Sequence, residues 1–126
     1  MGILIGGISH INSDELHQLI QDPNDDTLII DVREYDEYTE AHIPGIPLIP
    51  MGEIARYIED FAKDREYVFI CRSGRRSFEV ANFFKHYGFE QVHNYEGGML
   101  NWNYEVTSGA ENVIVNFDPM QLERKK

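Results

Sequence analysis

The 126-residue chain has no second cysteine to pair with Cys71, so an internal disulfide is excluded. A chain built this way relies on its core and suits a reducing compartment, which leads us to expect a cytoplasmic protein. No run of about 18 apolar residues occurs, which excludes a membrane-spanning helix. The opening MGILIGGISHINSDEL lacks a basic start and a long apolar stretch, so it does not read as a signal peptide. Gly6 stands where a myristoylation pattern needs Ser or Thr. Positive charge is scarce, with 11 Lys and Arg against 22 Asp and Glu and a net charge of -11. That balance argues against nucleic acid and anionic membrane as partners. The five histidines, at 10, 17, 42, 86 and 93, show no metal-ligand spacing with a second cysteine, so no metal site is expected. IGGI (5–8) is too short and too early for a dinucleotide fingerprint, which needs a preceding strand. There is no internal repeat and no low-complexity segment.

What is present fits one compact domain, with 42% hydrophobic residues to build a core. Asn12 or Ser13 begins a helix through about Gln21, with Asn12 and Glu15 spaced as a capping box. PNDD (23–26) is a turn, and TLIIDV (27–32) reads as a buried strand. REYDEYTEAH (33–42) suggests a short polar helix, and IPGIPLIP (43–50) cannot be helical. Helical spacing returns over 52–62, with Ile54, Tyr57, Ile58 and Phe61 on one face. EYVFIC (66–71) is a second buried strand. An amphipathic helix over 75–88 carries Phe78, Val80, Ala81, Phe83 and Phe84 into the core and stops at Gly88. FEQVHNY (89–95) is a third strand, and GGMLNW (97–102) opens a last helix, with Trp102 expected in the core. Strands and helices alternate with connections too long for hairpins. That implies an α/β fold, a mainly parallel sheet with helices on both faces. NVIVNF (112–117) alternates and is expected as an added strand at a sheet edge or subunit contact, with ERKK frayed at the end.

The stretch VFICRSGRRSFEVANFF (68–84) concentrates the chemistry. Ligands of open α/β sheets bind beyond the carboxyl ends of strands, and Cys71 ends one. The residues after it enter a helix N-terminus, where backbone N–H groups lack internal partners and the dipole adds positive character. Arg72, Arg75 and Arg76 form the densest cationic patch of an acidic chain. Gly74 lets the backbone curl, and Ser77 offers a hydroxyl to an anion or to the helix end. These features stabilise a thiolate. The expected result is a nucleophilic sulfur at the mouth of a pocket that receives a small anion. An inert, buried cysteine ending a strand is the alternative.

These residues resemble the rhodanese family of sulfurtransferases. CRSGRRS (71–77) resembles the family loop C-R-x-G-x-R-S. LIIDVREYDEYTEAHIPG (28–45) resembles the upstream signature, and YEGGMLNW (95–102) the downstream G-G-x-x-x-W. Ala41, Ile46, Pro47 and Asn101 depart from the family pattern outside the loop. The resemblance implies a rhodanese-like domain over 1–104, with a five-stranded sheet, followed by a C-terminal extension over 105–126. It implies a thiosulfate sulfurtransferase: Cys71 takes sulfur from thiosulfate or a related small anionic donor as a persulfide, then passes it to cyanide, a thiol or a protein acceptor. No cofactor is implied. Backbone N–H groups of residues 72–77, that is Arg72, Ser73, Gly74, Arg75, Arg76 and Ser77, would hold the donor. Arg72 and Arg75 are assigned to donor attraction, and Arg76 either joins them or turns inward to Asp31 or Glu96. Asp31 and Arg33 are expected as a buried ion pair, His42 as a brace for its turn, and Gly97 and Gly98 in close helix-to-strand packing. The sequence does not fix an oligomeric state.

Two other readings compete. Phosphatases and arsenate reductases of related fold use C-x5-R, whereas here C-x5 lands on Ser77 and Arg76 comes one position early. The shorter loop makes a narrower cradle, and Ile70 replaces the His usual in cysteine phosphatases. A non-catalytic binding module is the other, although such modules commonly lack the cysteine.

Overall fold

The structure, a computed structural model, describes residues 2–123. Its first elements are β1 (Ile3–Ile5), β2 (Ile8–Ile11), α1 (Ser13–Gln21), β3 (Leu28–Asp31) and α2 (Tyr35–Glu40). They are followed by α3 (Met51–Ile54), β4 (Tyr67–Ile70), α4 (Arg75–His86) and β5 (Val92–Tyr95). Three 3-10 segments, Ala55–Asp60, Met99–Asn101 and Pro119–Leu122, complete the path. The five strands form one sheet in the order β1-β2-β5-β4-β3, parallel throughout except for the β1–β2 pair.

Alternation along the strands sends side chains to two cores. Tyr67, Phe69 and Cys71 face α4 with Leu28, Ile30, Val80, Ala81 and Phe84. Val68 and Ile70 face the other way, toward Leu16 and Leu19 of α1, with Ile29 and Tyr95. Period-two alternation on strands covered on both faces is what makes their sequences read as continuous apolar runs. The α1 cap forms as its spacing predicts: Asn12 Oδ1 accepts from Glu15 N–H at 2.9 Å, and Glu15 Oε1 accepts from Asn12 N–H at 2.9 Å.

Several elements differ from the sequence-based expectation. The fifth strand does not come from 112–117, which makes only an isolated parallel bridge, Leu48 with Val113. The two unforeseen strands are the N-terminal hairpin, turned by Gly6 and Gly7 at φ of 61° and 80°. Those angles suit a two-residue hairpin loop, for which Gly-Gly is a known signal. The helix expected over 52–62 is α-helical only to Ile54; the 3-10 segment after it brings Tyr57 to donate to the Val115 carbonyl at 3.0 Å. β5 starts at Val92 because Phe89 N–H is spent closing α4, on the Phe84 carbonyl at 3.1 Å. The helix expected from 97 shrinks to Met99–Asn101, because the backbone turns extended at Trp102 (φ -79°, ψ 117°); Met99 and Leu100 N–H, free as in any first turn, donate to the Cys71 and Arg72 carbonyls at 2.9 and 3.0 Å. Trp102 is half-buried against the α1-side core. The frayed end expected over ERKK lies, from residue 124 on, outside the described residues.

Candidate functional site

β4 delivers Cys71 to the carboxyl edge of the sheet, and the chain turns at once into α4. Gly74 holds the N-cap position of that helix with φ 90° and ψ -5°. A Cβ at Gly74 would stand 1.9 Å from the Glu96 carbonyl oxygen, so the position requires glycine for both angle and space. Gly98 serves the same purpose from the other side. A Cβ there would meet the Arg72 carbonyl oxygen at 2.4 Å and Ser73 N at 2.7 Å. Gly98 therefore packs against the loop backbone, not helix against strand as expected from sequence.

The loop curls over the sulfur. Gly74 N–H points at Cys71 Sγ at 3.0 Å, and Ser77 Oγ lies 3.3 Å from it. Cys71 is 0% exposed, so the sulfur lies on the floor of the loop rather than at its mouth, which corrects the sequence-based placement. The cause is the strand period: Cys71 points the way Phe69 and Tyr67 do, into the α4 core. Around this floor Arg72, Ser73 and Arg75 are exposed and Ser77 is buried. The backbone N–H groups of Arg72, Ser73, Arg75, Arg76 and Ser77 find no acceptor among the described residues, as the first turn of a helix leaves them. Ser77 does not cap the helix; it stands in the first turn and faces inward.

Arg76 turns away from the loop mouth. Its Nη1 and Nη2 donate to Glu37 Oε1 and Oε2, both at 2.8 Å. The partner is thus Glu37 of α2, neither Asp31 nor Glu96, and Arg76 does not join the outward-facing cations. Asp31 is already taken: Arg33 Nε and Nη2 reach its oxygens at 3.0, 3.1 and 2.8 Å in a buried pair. Arg33 Nη2 also donates to the Ala41 carbonyl at 2.7 Å, tying two loops together. Hydrogen bonding to Arg76 holds the Glu37 carboxyl well below the usual carboxylate range, at about 2. Burial dominates at Asp31 and pushes its carboxyl up despite Arg33. We read the short contacts as a carboxylate–guanidinium pair, since Nε and Nη2 of Arg33 together make three contacts to the two oxygens. Arg72 and Arg75 form no ion pair with any described residue.

His42 is buried and stacks on Tyr38 at 3.8 Å and 7°. Its Nδ1 lies 2.9 Å from the Tyr38 carbonyl and its Nε2 2.8 Å from Glu111 Oε1, which also accepts from Gly45 N–H at 3.1 Å. These contacts brace its turn. Asn94 of β5 was not foreseen. It donates to the Gly74 carbonyl at 2.9 Å and contacts Ser77 Oγ at 2.5 Å from beneath the loop. An amide inside a short strand carries no local signal of such a role. Among the described residues, no group of three or more His, Cys, Asp or Glu is placed to hold a metal ion. A cleft of about 780 Å³ opens elsewhere, between the end of α1, the 44–46 turn and the C-terminal segment, and no residue of 71–77 lines it.

The geometry can do two things: hold a charged sulfur by main-chain and hydroxyl donors, and draw an anion to Arg72 and Arg75. Residues 12–105 match the model of the rhodanese-like domain. The chain is 43% identical over 98 residues to Bacillus subtilis YtwF, a protein named provisionally as a sulfurtransferase, covering 78% of this chain and 93% of that one. It is 28% identical over 102 residues to the thiosulfate sulfurtransferase GlpE of Pseudoalteromonas translucida, covering 81% of this chain and 95% of that one. A rhodanese-like domain protein crystal structure from Staphylococcus aureus superposes with a TM-score of 0.69 at 33% identity, over 76% of this chain and 92% of that one.

Proposed function

The chain belongs to the rhodanese-like domain family, and from that premise we propose that it moves a sulfane sulfur from thiosulfate, or a related anionic donor, to a thiophilic acceptor through a Cys71 persulfide. The observation that carries this reading is the sulfur itself, which meets Gly74 N–H at 3.0 Å inside a loop that ends in a helix N-terminus. In the loading step the Cys71 thiolate attacks the outer sulfur of thiosulfate. The S–S bond of the donor breaks, its electron pair leaves with sulfite, and a Cys71 persulfide anion remains. In the discharge step an acceptor such as cyanide attacks the outer sulfur, and the electron pair of the Cys71 S–S bond returns to Sγ as thiolate. Covalent catalysis of this kind splits one transfer into two easier ones. The Gly74 N–H and the Ser77 hydroxyl beside the sulfur provide the electrostatic stabilisation.

Arg72 and Arg75 attract the donor, and the backbone N–H groups left without an acceptor among the described residues, those of Arg72, Ser73, Arg75, Arg76 and Ser77, hold it; Ser73 completes the exposed rim. Because the sulfur is buried, loading requires the loop to open a path to it. Arg76 acts at one remove by fastening α4 to α2 through Glu37. Thiosulfate as donor draws support from the name of the Pseudoalteromonas relative and from the two outward arginines. No helix of the described residues is long and apolar enough to cross a membrane, and the single thiol suits a reducing cytoplasm.

The four residues between Cys71 and Arg76 favour a sulfur-sized cradle over the C-x5-R phosphate cradle. The test is intact mass after incubation with thiosulfate. One added sulfur is expected on the wild type, removed by cyanide, and none on Cys71→Ser. Hydrolysis of an aryl phosphate without sulfur loading would replace this reading with the phosphatase one.

A further inference from the structure

Both donors that reach the sulfur are held by one side chain outside the loop. Asn94 Nδ2 lies 2.9 Å from the Gly74 carbonyl, and Gly74 N–H is the main-chain donor to Sγ. Asn94 Oδ1 lies 2.5 Å from Ser77 Oγ, the only side-chain oxygen among the described residues within reach of Sγ, at 3.3 Å. Asn94 and Ser77 are both fully buried, at 1% and 0% exposure, so no solvent intervenes.

Counting hydrogens fixes their places. The Gly74 carbonyl can only accept, so the Asn94 atom facing it is the nitrogen, and the opposite face presents the oxygen. The second hydrogen of that nitrogen points to His10 Nδ1 at 3.3 Å. His10 is then the neutral tautomer with its hydrogen on Nε2, the one buried side-chain polar atom among the described residues without a partner. His10 is 8% exposed and stacked on Phe78 at 5.4 Å, which keeps the ring in place. The chain Sγ–Ser77–Asn94–His10 ends there. An amide does not relay a proton readily, so the chain orients groups and does not conduct.

Ser77 has a single hydroxyl hydrogen and two claimants for it. With Cys71 as a neutral thiol or a persulfide, that hydrogen belongs on Asn94 Oδ1. When negative charge sits on Sγ, a charge-assisted bond is the stronger one and the hydrogen turns to sulfur.

We propose that Asn94 is a positioning residue for sulfur discharge: it parks the Ser77 hydroxyl hydrogen while Sγ is neutral and releases it as Sγ becomes the leaving thiolate. It holds the Gly74 amide in line at the same time. This rests on the persulfide reading above. In discharge the S–S bond breaks, its electron pair goes to Sγ, and the Ser77 hydrogen meets that charge without any proton being transferred. In loading, Sγ begins as the charged nucleophile and loses its charge, so the same bond aids discharge without aiding attack.

The experiment uses the full chain with Asn94→Asp, Asn94→Ala and Ser77→Ala. Two quantities are followed: cyanide discharge of the loaded persulfide in a single turnover, and the Gly74 amide resonance in a 15N-labelled sample. Discharge is expected to slow about tenfold in all three: Ser77→Ala loses its own charge-assisted bond to Sγ, and the Asn94 variants lose the alignment of the Gly74 N–H bond to it. The KM for thiosulfate in loading is expected to stay within about twofold in the Asn94 variants, whose side chain lies beneath the loop and does not touch the donor. The Gly74 resonance is expected to move in both Asn94 variants and to hold its place in Ser77→Ala. Equal slowing of loading and discharge, or an unmoved Gly74 resonance with wild-type discharge, overturns the proposal. Failure of both Asn94 variants to fold would make Asn94 a structural group alone and also overturn it. A wild type that takes no sulfur sinks the persulfide reading, while the Gly74 resonance still reports whether Asn94 holds the loop.

Discussion

Gly74 carries the tightest constraint of the site, because its φ of 90° and the Glu96 carbonyl 1.9 Å from an added Cβ act together. Gly74→Ala is expected to cost at least about 2 kcal/mol, from left-handed strain and a backbone clash that no side-chain rotation relieves. Urea denaturation checks the stability loss, and intact mass after thiosulfate should show little added sulfur. At this scale the loop was legible in sequence, since a cysteine, a glycine and arginines at fixed spacing carry their chemistry with them. The depth of Cys71 was written there too, in the alternation Tyr67, Phe69, Cys71, yet a charge-rich neighbourhood suggests a surface position. Asn94 and the Glu37 partner of Arg76 were not legible. Both contacts join segments far apart in sequence, and nothing local marks them.

Between elements, the Arg76–Glu37 pair joins the first turns of α4 and α2 across 39 positions of sequence. The Glu37 carboxyl is lowered from 4.5 to about 2, first by hydrogen bonding to Arg76. A folded-state value below the unfolded one adds stability above about 4.5 that is lost as pH falls toward 2. Glu37→Gln is therefore expected to cost about 1 kcal/mol at neutral pH, after allowance for partial exposure and screening. It should also flatten the decline of stability between those two pH values, which thermal unfolding across pH will read. Helices read from periodicity held where a capping box or a terminal glycine closed them, as at Asn12 and Gly88. They failed at 97–102, where the backbone leaves the helical turn at Trp102 for an extended conformation.

Across the whole molecule, the segment after 105 lies beyond the family match yet is packed against the body. Ile114 and Leu122 are buried in the α4-side core, and Phe117 stacks on Tyr57 at 5.2 Å. Glu111 accepts from the buried His42, and Arg65 pairs with Glu123 at 2.6 Å. Removal of residues 105–126 is expected to cost about 3 kcal/mol or more, from the two buried aliphatic side chains alone. Calorimetry on the shortened chain gives the measurement, and an unchanged melting temperature would contradict it. Parallel bridges of Leu48 with Asp31 and with Val113 also lay chain along the outer side of β3. The opposite edge, β1, presents Ile3, Leu4 and Ile5 to solvent. A sheet flanked on one side and open on the other has, among the described residues, a single docking rail. Two molecules that met there would consume each other's free rail and stop, so the architecture tolerates an apolar fringe without offering a template for endless stacking.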